Sequence, residues 1–86
     1  MPTISRFFGL TIRMYYNDHP PPHFHAYYDE FVAVFEIGSL EIRQGKLPRR
    51  ASAMVLEWAM QHRGELLENW DLAQAHEPLK PIQPLE

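Results

Sequence analysis

The run His23-Phe24-His25-Ala26-Tyr27-Tyr28-Asp29-Glu30-Phe31-Val32-Ala33-Val34-Phe35-Glu36-Ile37 decides the fold. Small or bulky apolar groups recur at every second position on both sides of Asp29-Glu30, the pattern of two half-buried strands. Asp29-Glu30 has the length of a two-residue hairpin loop, although it lacks the glycine such loops favour. A slip of one residue would turn each apolar set to water, so the pattern also predicts the register. Tyr28 is expected opposite Phe31, Ala26 opposite Ala33 and Phe24 opposite Phe35. That leaves His25 facing Val34 and His23 facing Glu36.

Downstream, Gly38-Ser39 places glycine first in a two-residue turn, as a type II′ hairpin wants. Leu40 to Arg43 is then a short fourth strand, with Phe35 beside Ile42, Val34 beside Arg43 and Glu36 beside Glu41. Upstream lies Asn17-Asp18-His19-Pro20-Pro21-Pro22, whose prolines fix φ and donate no hydrogen bond, so it is neither helix nor interior strand. It brackets the chain and delivers His23 into its strand. Before it, Leu10, Ile12, Met14 and Tyr16 alternate with Thr11, Arg13 and Tyr15, a first strand with a core face. The opposite sheet face then carries Tyr15, Arg13, His23, His25, Glu36, Glu41 and Arg43, a polar and titratable surface.

After the turn Gln44-Gly45-Lys46-Leu47, Pro48 suits the first position of a helix. Ala51, Met54/Val55, Trp58/Ala59 and His62 follow at helical spacing. Gly64 interrupts the pattern, and Leu66/Leu67, Trp70 and Ala73 resume it. Two helices joined near His62 to Glu65 are predicted, with one bent helix as the alternative. Trp58 and Trp70 read as core anchors, His62 as a hydrogen-bonded core residue and His76 as a surface residue. Pro78, Pro81 and Pro84 make the tail from Glu77 to Glu86 extended. The expected architecture is one α+β domain over residues 1–86: a three- to four-stranded antiparallel β-meander (10–43), two C-terminal helices (48–76) packed on one face, and a proline-rich tail (77–86).

Composition bounds the function. Cysteine is absent from the 86 residues, which excludes a disulfide scaffold and thiolate metal sites. No charged leader or apolar span of membrane length is present, so a cytoplasmic protein without a membrane anchor is expected. The net charge of −3 divides unevenly, because the second half holds only Arg63 and Lys80 as bases while Arg43, Lys46, Arg49 and Arg50 cluster. This local patch is smaller than the global basicity of a dedicated nucleic-acid binder.

Three of the five histidines lie between His19 and His25. Histidine titrates nearest neutral pH and serves as a general acid or base. His23 and His25, with His19, Asp18 and Tyr15, form the candidate catalytic set. Arg13, Arg43, Arg49 and Arg50 are candidates to hold a phosphate or stabilise developing negative charge. Two arginines at a helix N-terminus are unfavourable to the helix dipole and suit an anionic partner. This inventory fits action on RNA or a nucleotide without any cofactor. The alternative is a divalent transition metal on His23 and His25 with Glu36 or His19, since imidazoles two apart on a strand are a recurrent ligand pair. The plainer reading is that the histidines only decorate a partly covered sheet.

The runs Met1-Pro2-Thr3-Ile4-Ser5-Arg6-Phe7-Phe8-Gly9, Asp18-His19 with Pro21-Pro22-His23-Phe24-His25-Ala26, Gly45-Lys46-Leu47-Pro48-Arg49-Arg50, Glu57-Trp58 and Glu65-Leu66-Leu67-Glu68-Asn69-Trp70 together resemble the bacterial domain-of-unknown-function family 4160. The resemblance implies a small bacterial protein encoded beside a partner of the domain-of-unknown-function 2442 type. That two-gene arrangement implies a toxin–antitoxin module in which this chain is the toxin-like component. It assigns no residue roles. The functional expectation is therefore a toxin-like protein acting on RNA or nucleotides through a His/Arg site. A non-enzymatic protein-binding module and a small His-ligated metalloprotein are the alternatives, and the oligomeric state is left open.

Overall fold

A computed structural model describes residues 2–86; Met1, the first residue of the amino-terminal run, lies outside them. Five strands run in chain order across one antiparallel sheet: β1 (Thr3–Phe7), β2 (Leu10–Arg13), β3 (His23–Tyr28), β4 (Phe31–Glu36) and β5 (Ile42–Gly45). Two helices follow, α1 (Arg49–Gln61) and α2 (Arg63–Gln74), meeting at His62. The α+β class stands, with five strands rather than three or four. The extra strand is β1. A register shift between Thr3 and Ser5 buries two successive residues, Ile4 and Ser5, and so hides the period of two from a sequence reading. Phe8 and Gly9 then turn the chain with φ of 49° and 84°, the two left-handed positions of a type I′ hairpin.

The central hairpin has the register the alternation dictates: Phe24 pairs with Phe35, Ala26 with Ala33, His25 with Val34 and His23 with Glu36. The next connection departs from expectation. Gly38 is not among the residues with positive φ; Leu40 takes the left-handed conformation at 61°, and its amide donates to the Glu36 carbonyl at 2.8 Å. Phe35 still pairs with Ile42, but a shift between Val34 and Phe35 puts Gln44, not Arg43, opposite Val34. Tyr16 also differs. The β2 ladder ends at Arg13, Asn17 is left-handed at φ 60°, and Tyr16 is 40 % exposed instead of in the core.

The helices cover one sheet face. Trp58 of α1 is fully buried between Phe7 and Phe24, with ring centroids 5.3 and 5.9 Å away. Val55, Leu66, Trp70 and the strand residues Ile4, Ile12, Phe24 and Phe35 complete one core cluster. The α2 C-terminus closes with paired bonds, Glu77 N–H to the Leu72 carbonyl and His76 N–H to the Ala73 carbonyl, and His76 at φ 58° fills the place glycine usually takes.

The tail is strapped across the helices and β1. Buried Asn69 grips Lys80 twice, donating to its carbonyl at 2.8 Å and accepting from its amide at 2.9 Å. Trp58 Nε1 donates to the Gln83 carbonyl at 2.8 Å, and Ile82 N–H donates to Ile4 of β1 at 2.8 Å. These bonds sink Ile82 and Leu85 into the core. No helix among the described residues is long and apolar enough to cross a membrane.

Candidate functional site

The proline bracket and the start of β3 meet the C-terminal half of α2 at one end of the sheet. Pro20-Pro21 is a cis peptide bond. Gln74 Nε2 of α2 donates to the Asp18 carbonyl at 3.1 Å, tying helix to bracket. Asp18 Oδ1 accepts the His19 amide at 2.9 Å, which turns Oδ2 inward. Oδ2 lies 2.9 Å from His23 Nε2 and 3.6 Å from His25 Nε2. His23 Nδ1 is 2.8 Å from the Pro21 carbonyl, so this ring is fixed at both nitrogens. His25 is fixed differently: the Tyr15 ring meets its edge at 4.6 Å, and its Nε2 is buried without a hydrogen-bond partner. The Tyr15 and Tyr27 hydroxyls bond each other, and the Arg13 guanidinium lies 5.2 Å above the Tyr27 ring.

An open cleft of about 310 Å³ exposes this cluster; Asp18, His19, His23, His25, Arg43 and Gln44 are among its lining residues. Of the residues singled out by sequence, the cleft thus gathers Asp18, His19, His23, His25 and Arg43. Tyr15 supports His25 from behind. Arg13 is engaged with Tyr27, and Arg49 and Arg50 are exposed at the α1 N-terminus, outside the lining set. Glu36 pairs with His23 along the ladder, but its carboxylate accepts from Ser39 Oγ at 3.1 Å and is not part of the cluster. Asp18 takes the place expected for Glu36.

His23 also departs from the expected open face. Its ring packs 5.2 Å from Trp70 and is only 8 % exposed, because α2 reaches past the end of the sheet. His25 and Asp18 stay partly open. Asp18 was legible as a neighbour of the motif, yet no periodicity says that the bracket folds its carboxylate back onto β3.

Burial pushes the Asp18 carboxyl up, but the His19 amide and the two imidazoles outweigh it, and the net shift is downward. Burial and the neighbouring His23 lower the pKa of His25 below its ordinary 6.5, against the pull of Asp18. Burial and the Tyr15 hydroxyl push Tyr27 up to about 12. At neutral pH the cleft therefore holds an ionised carboxylate and a neutral His25.

These shifts set a pH dependence. As pH falls below 6.5 the unfolded chain protonates His25 before the folded one does, so acidification destabilises the fold. Asp18, with its folded pKa depressed, adds stability above about its ordinary 3.8 that disappears on further acidification. Urea midpoints measured in EDTA should fall steadily from pH 7.5 to pH 4. His25→Gln should flatten the upper part of that decline, and a wild-type midpoint constant from pH 7.5 to 5 would contradict the geometry.

A family model described as a domain of unknown function (DUF4160) matches residues 9–71, from the first hairpin turn through most of α2. The match contains the proline bracket, both strand histidines and Arg43. No curated protein and no solved structure matches the chain.

Proposed function

We propose, from the premise that this chain belongs to the domain-of-unknown-function family DUF4160, that it is the toxin-like component of a bacterial two-gene module. In this reading a neighbouring protein of the domain-of-unknown-function 2442 type restrains it, and the cleft at the proline bracket acts on RNA. The observation that carries the reading is one cleft lined by a carboxylate, two fixed imidazoles and an arginine. Arg43, on β5, is a planar donor suited to a phosphate oxygen. The cluster receives the proton of an attacking 2′-hydroxyl. As the new P–O bond forms and the P–O5′ bond breaks, the leaving oxygen takes a proton from solvent. Neutral His25 accepts the proton in the bare cleft; were a metal held by Asp18, His23 and His25, it would supply Lewis-acid chemistry at the same place.

The test is purified protein with an end-labelled RNA oligonucleotide. Cleavage to a cyclic phosphate is expected, falling about 100-fold or more in His25→Ala, the usual contribution of a positioned acid or base. Arg43→Gln should raise KM more than it lowers kcat. No turnover of RNA, or turnover indifferent to His25→Ala, would remove this function.

A second reading, the small metalloprotein, is favoured by a specific observation. Asp18, His23 and His25 each offer one ligand atom, and these atoms all lie within 4.8 Å of one another.

A further inference from the structure

We propose that Asp18 Oδ2, His23 Nε2 and His25 Nε2 form a three-ligand site for a divalent transition metal ion, zinc-like in its preferences, with its open position facing the Arg43 side of the cleft. This deepens the RNA reading of the same cleft by naming its cofactor class, and rests on that reading only for what the ion does. Ligands held at about 2.0–2.1 Å from a tetrahedral ion stand roughly 3.3 Å from one another. The separations from Asp18 Oδ2, 2.9 Å to His23 and 3.6 Å to His25, straddle that value.

Three further features point to an ion. First, buried His25 Nε2 has no hydrogen-bond partner, which is unusual for a buried polar atom and is remedied by a metal bond. Second, His23 Nδ1 faces the Pro21 carbonyl at 2.8 Å, the outer hydrogen bond that fixes a ligating imidazole with its Nε2 lone pair forward. With the proton on Nδ1, that lone pair meets the Asp18 carboxylate across 2.9 Å, and a metal ion between them, like a second proton on the ring, turns repulsion into attraction. Third, Asp18 Oδ1 is occupied by the His19 amide, leaving Oδ2 as a single, oriented ligand.

The donor set of two imidazoles and one carboxylate, with no sulfur, selects zinc, iron(II), cobalt or nickel over magnesium and calcium. Three protein ligands with a free position are the arrangement of a catalytic rather than a structural ion. Water in that position would be acidified toward neutral pH in the cleft that Arg43 also lines. Among the described residues no other group of three or more histidine and carboxylate side chains converges in this way.

The experiment uses untagged, full-length protein stripped with EDTA and titrated with zinc chloride by calorimetry, then with cobalt(II) followed by its d–d absorption. One equivalent is expected to bind at micromolar affinity or better. Cobalt should give the intense bands of a four- or five-coordinate ion. Because His23 is buried and its variants can misfold, the ligand tests are His25→Gln and Asp18→Asn, each with its fold checked by circular dichroism. Each should weaken binding at least 10-fold, while His62→Ala and His76→Ala should not. No binding at 100 μM, or binding unaltered in both ligand variants, overturns the site. The two claims separate cleanly: one bound equivalent without RNA cleavage sinks the RNA reading alone. Cleavage that persists in EDTA, together with no zinc binding, sinks the metal alone.

Discussion

Replacing Gly45 with alanine should lower the melting temperature by roughly 12 °C or more, the equivalent of about 3 kcal/mol in a domain of this size. Gly45 ends β5 at φ 78°, a conformation that carries a strain of order 1–3 kcal/mol for residues with a side chain. A Cβ there would stand 2.1 Å from the Val32 carbonyl oxygen, a backbone atom that cannot swing aside. Relief would require β5 to separate from β4, breaking the Lys46 N–H bond to that carbonyl at 3.1 Å. Since β5 carries Arg43, the cleft should lose its cation with the strand. The other turn glycines give the scale. Gly9, at φ 84° and with Tyr28 Cε1 3.2 Å from the added Cβ, should lose far less, because a ring can shift. Gly38 has nothing within 4 Å and should tolerate alanine. Thermal melts of the three variants check the order, and a Gly45→Ala protein as stable as Gly38→Ala would contradict the described β4–β5 geometry.

Asn69→Asp should destabilise the fold by about 3 kcal/mol or more at neutral pH, the scale of an uncompensated buried charge. Asn69 is 1 % exposed and holds Lys80 at both its carbonyl and its amide. Aspartate keeps the shape but replaces the donor with a second acceptor facing the Lys80 carbonyl. The carboxylate therefore loses one bond and meets like charge density across 2.8 Å. Its pKa must rise in the folded state, so the defect has a definite sign with pH. Stability relative to wild type should recover as pH falls through that raised pKa, because the protonated acid again donates. Released from this grip, the tail should become a site of early proteolysis, exposing Ile82 and Leu85. Urea titrations at pH 7 and pH 4.5 with limited proteolysis test the claim; an equal deficit at both pH values would contradict it.

The legible and illegible parts of the fold differ for a physical reason. Strict alternation with a two-residue loop allows one register only, so the β3–β4 pairing and the matched Phe24–Phe35 row followed from sequence. The two helices followed from apolar spacing; the joint, expected between His62 and Glu65 because of Gly64, lies at His62, with Gly64 inside α2. Irregularity hid the rest. The shift between Thr3 and Ser5 masked β1, and the one between Val34 and Phe35 displaced Arg43 from its expected partner. Leu40 was illegible as a left-handed residue because a leucine rarely adopts that conformation. In the cleft, the His-x-His spacing placed two imidazoles near each other, but their acidic partner was set by the bracket, not by strand pairing. The ladder put Glu36 beside His23; the fold-back put Asp18 there. Trp70 over His23 was equally hidden, since it depends on how far α2 extends past the sheet.

The central claim is that the cleft at the proline bracket, and not another surface, carries the function. It is tested most directly by inducing the chain in a bacterial host, alone and together with the proposed partner of the domain-of-unknown-function 2442 type, while growth and protein level are followed. Growth arrest is predicted for the wild type, relieved by that partner and relieved by His25→Ala at an unchanged protein level. Normal growth with the wild-type chain alone, or an arrest that His25→Ala leaves intact, would contradict it.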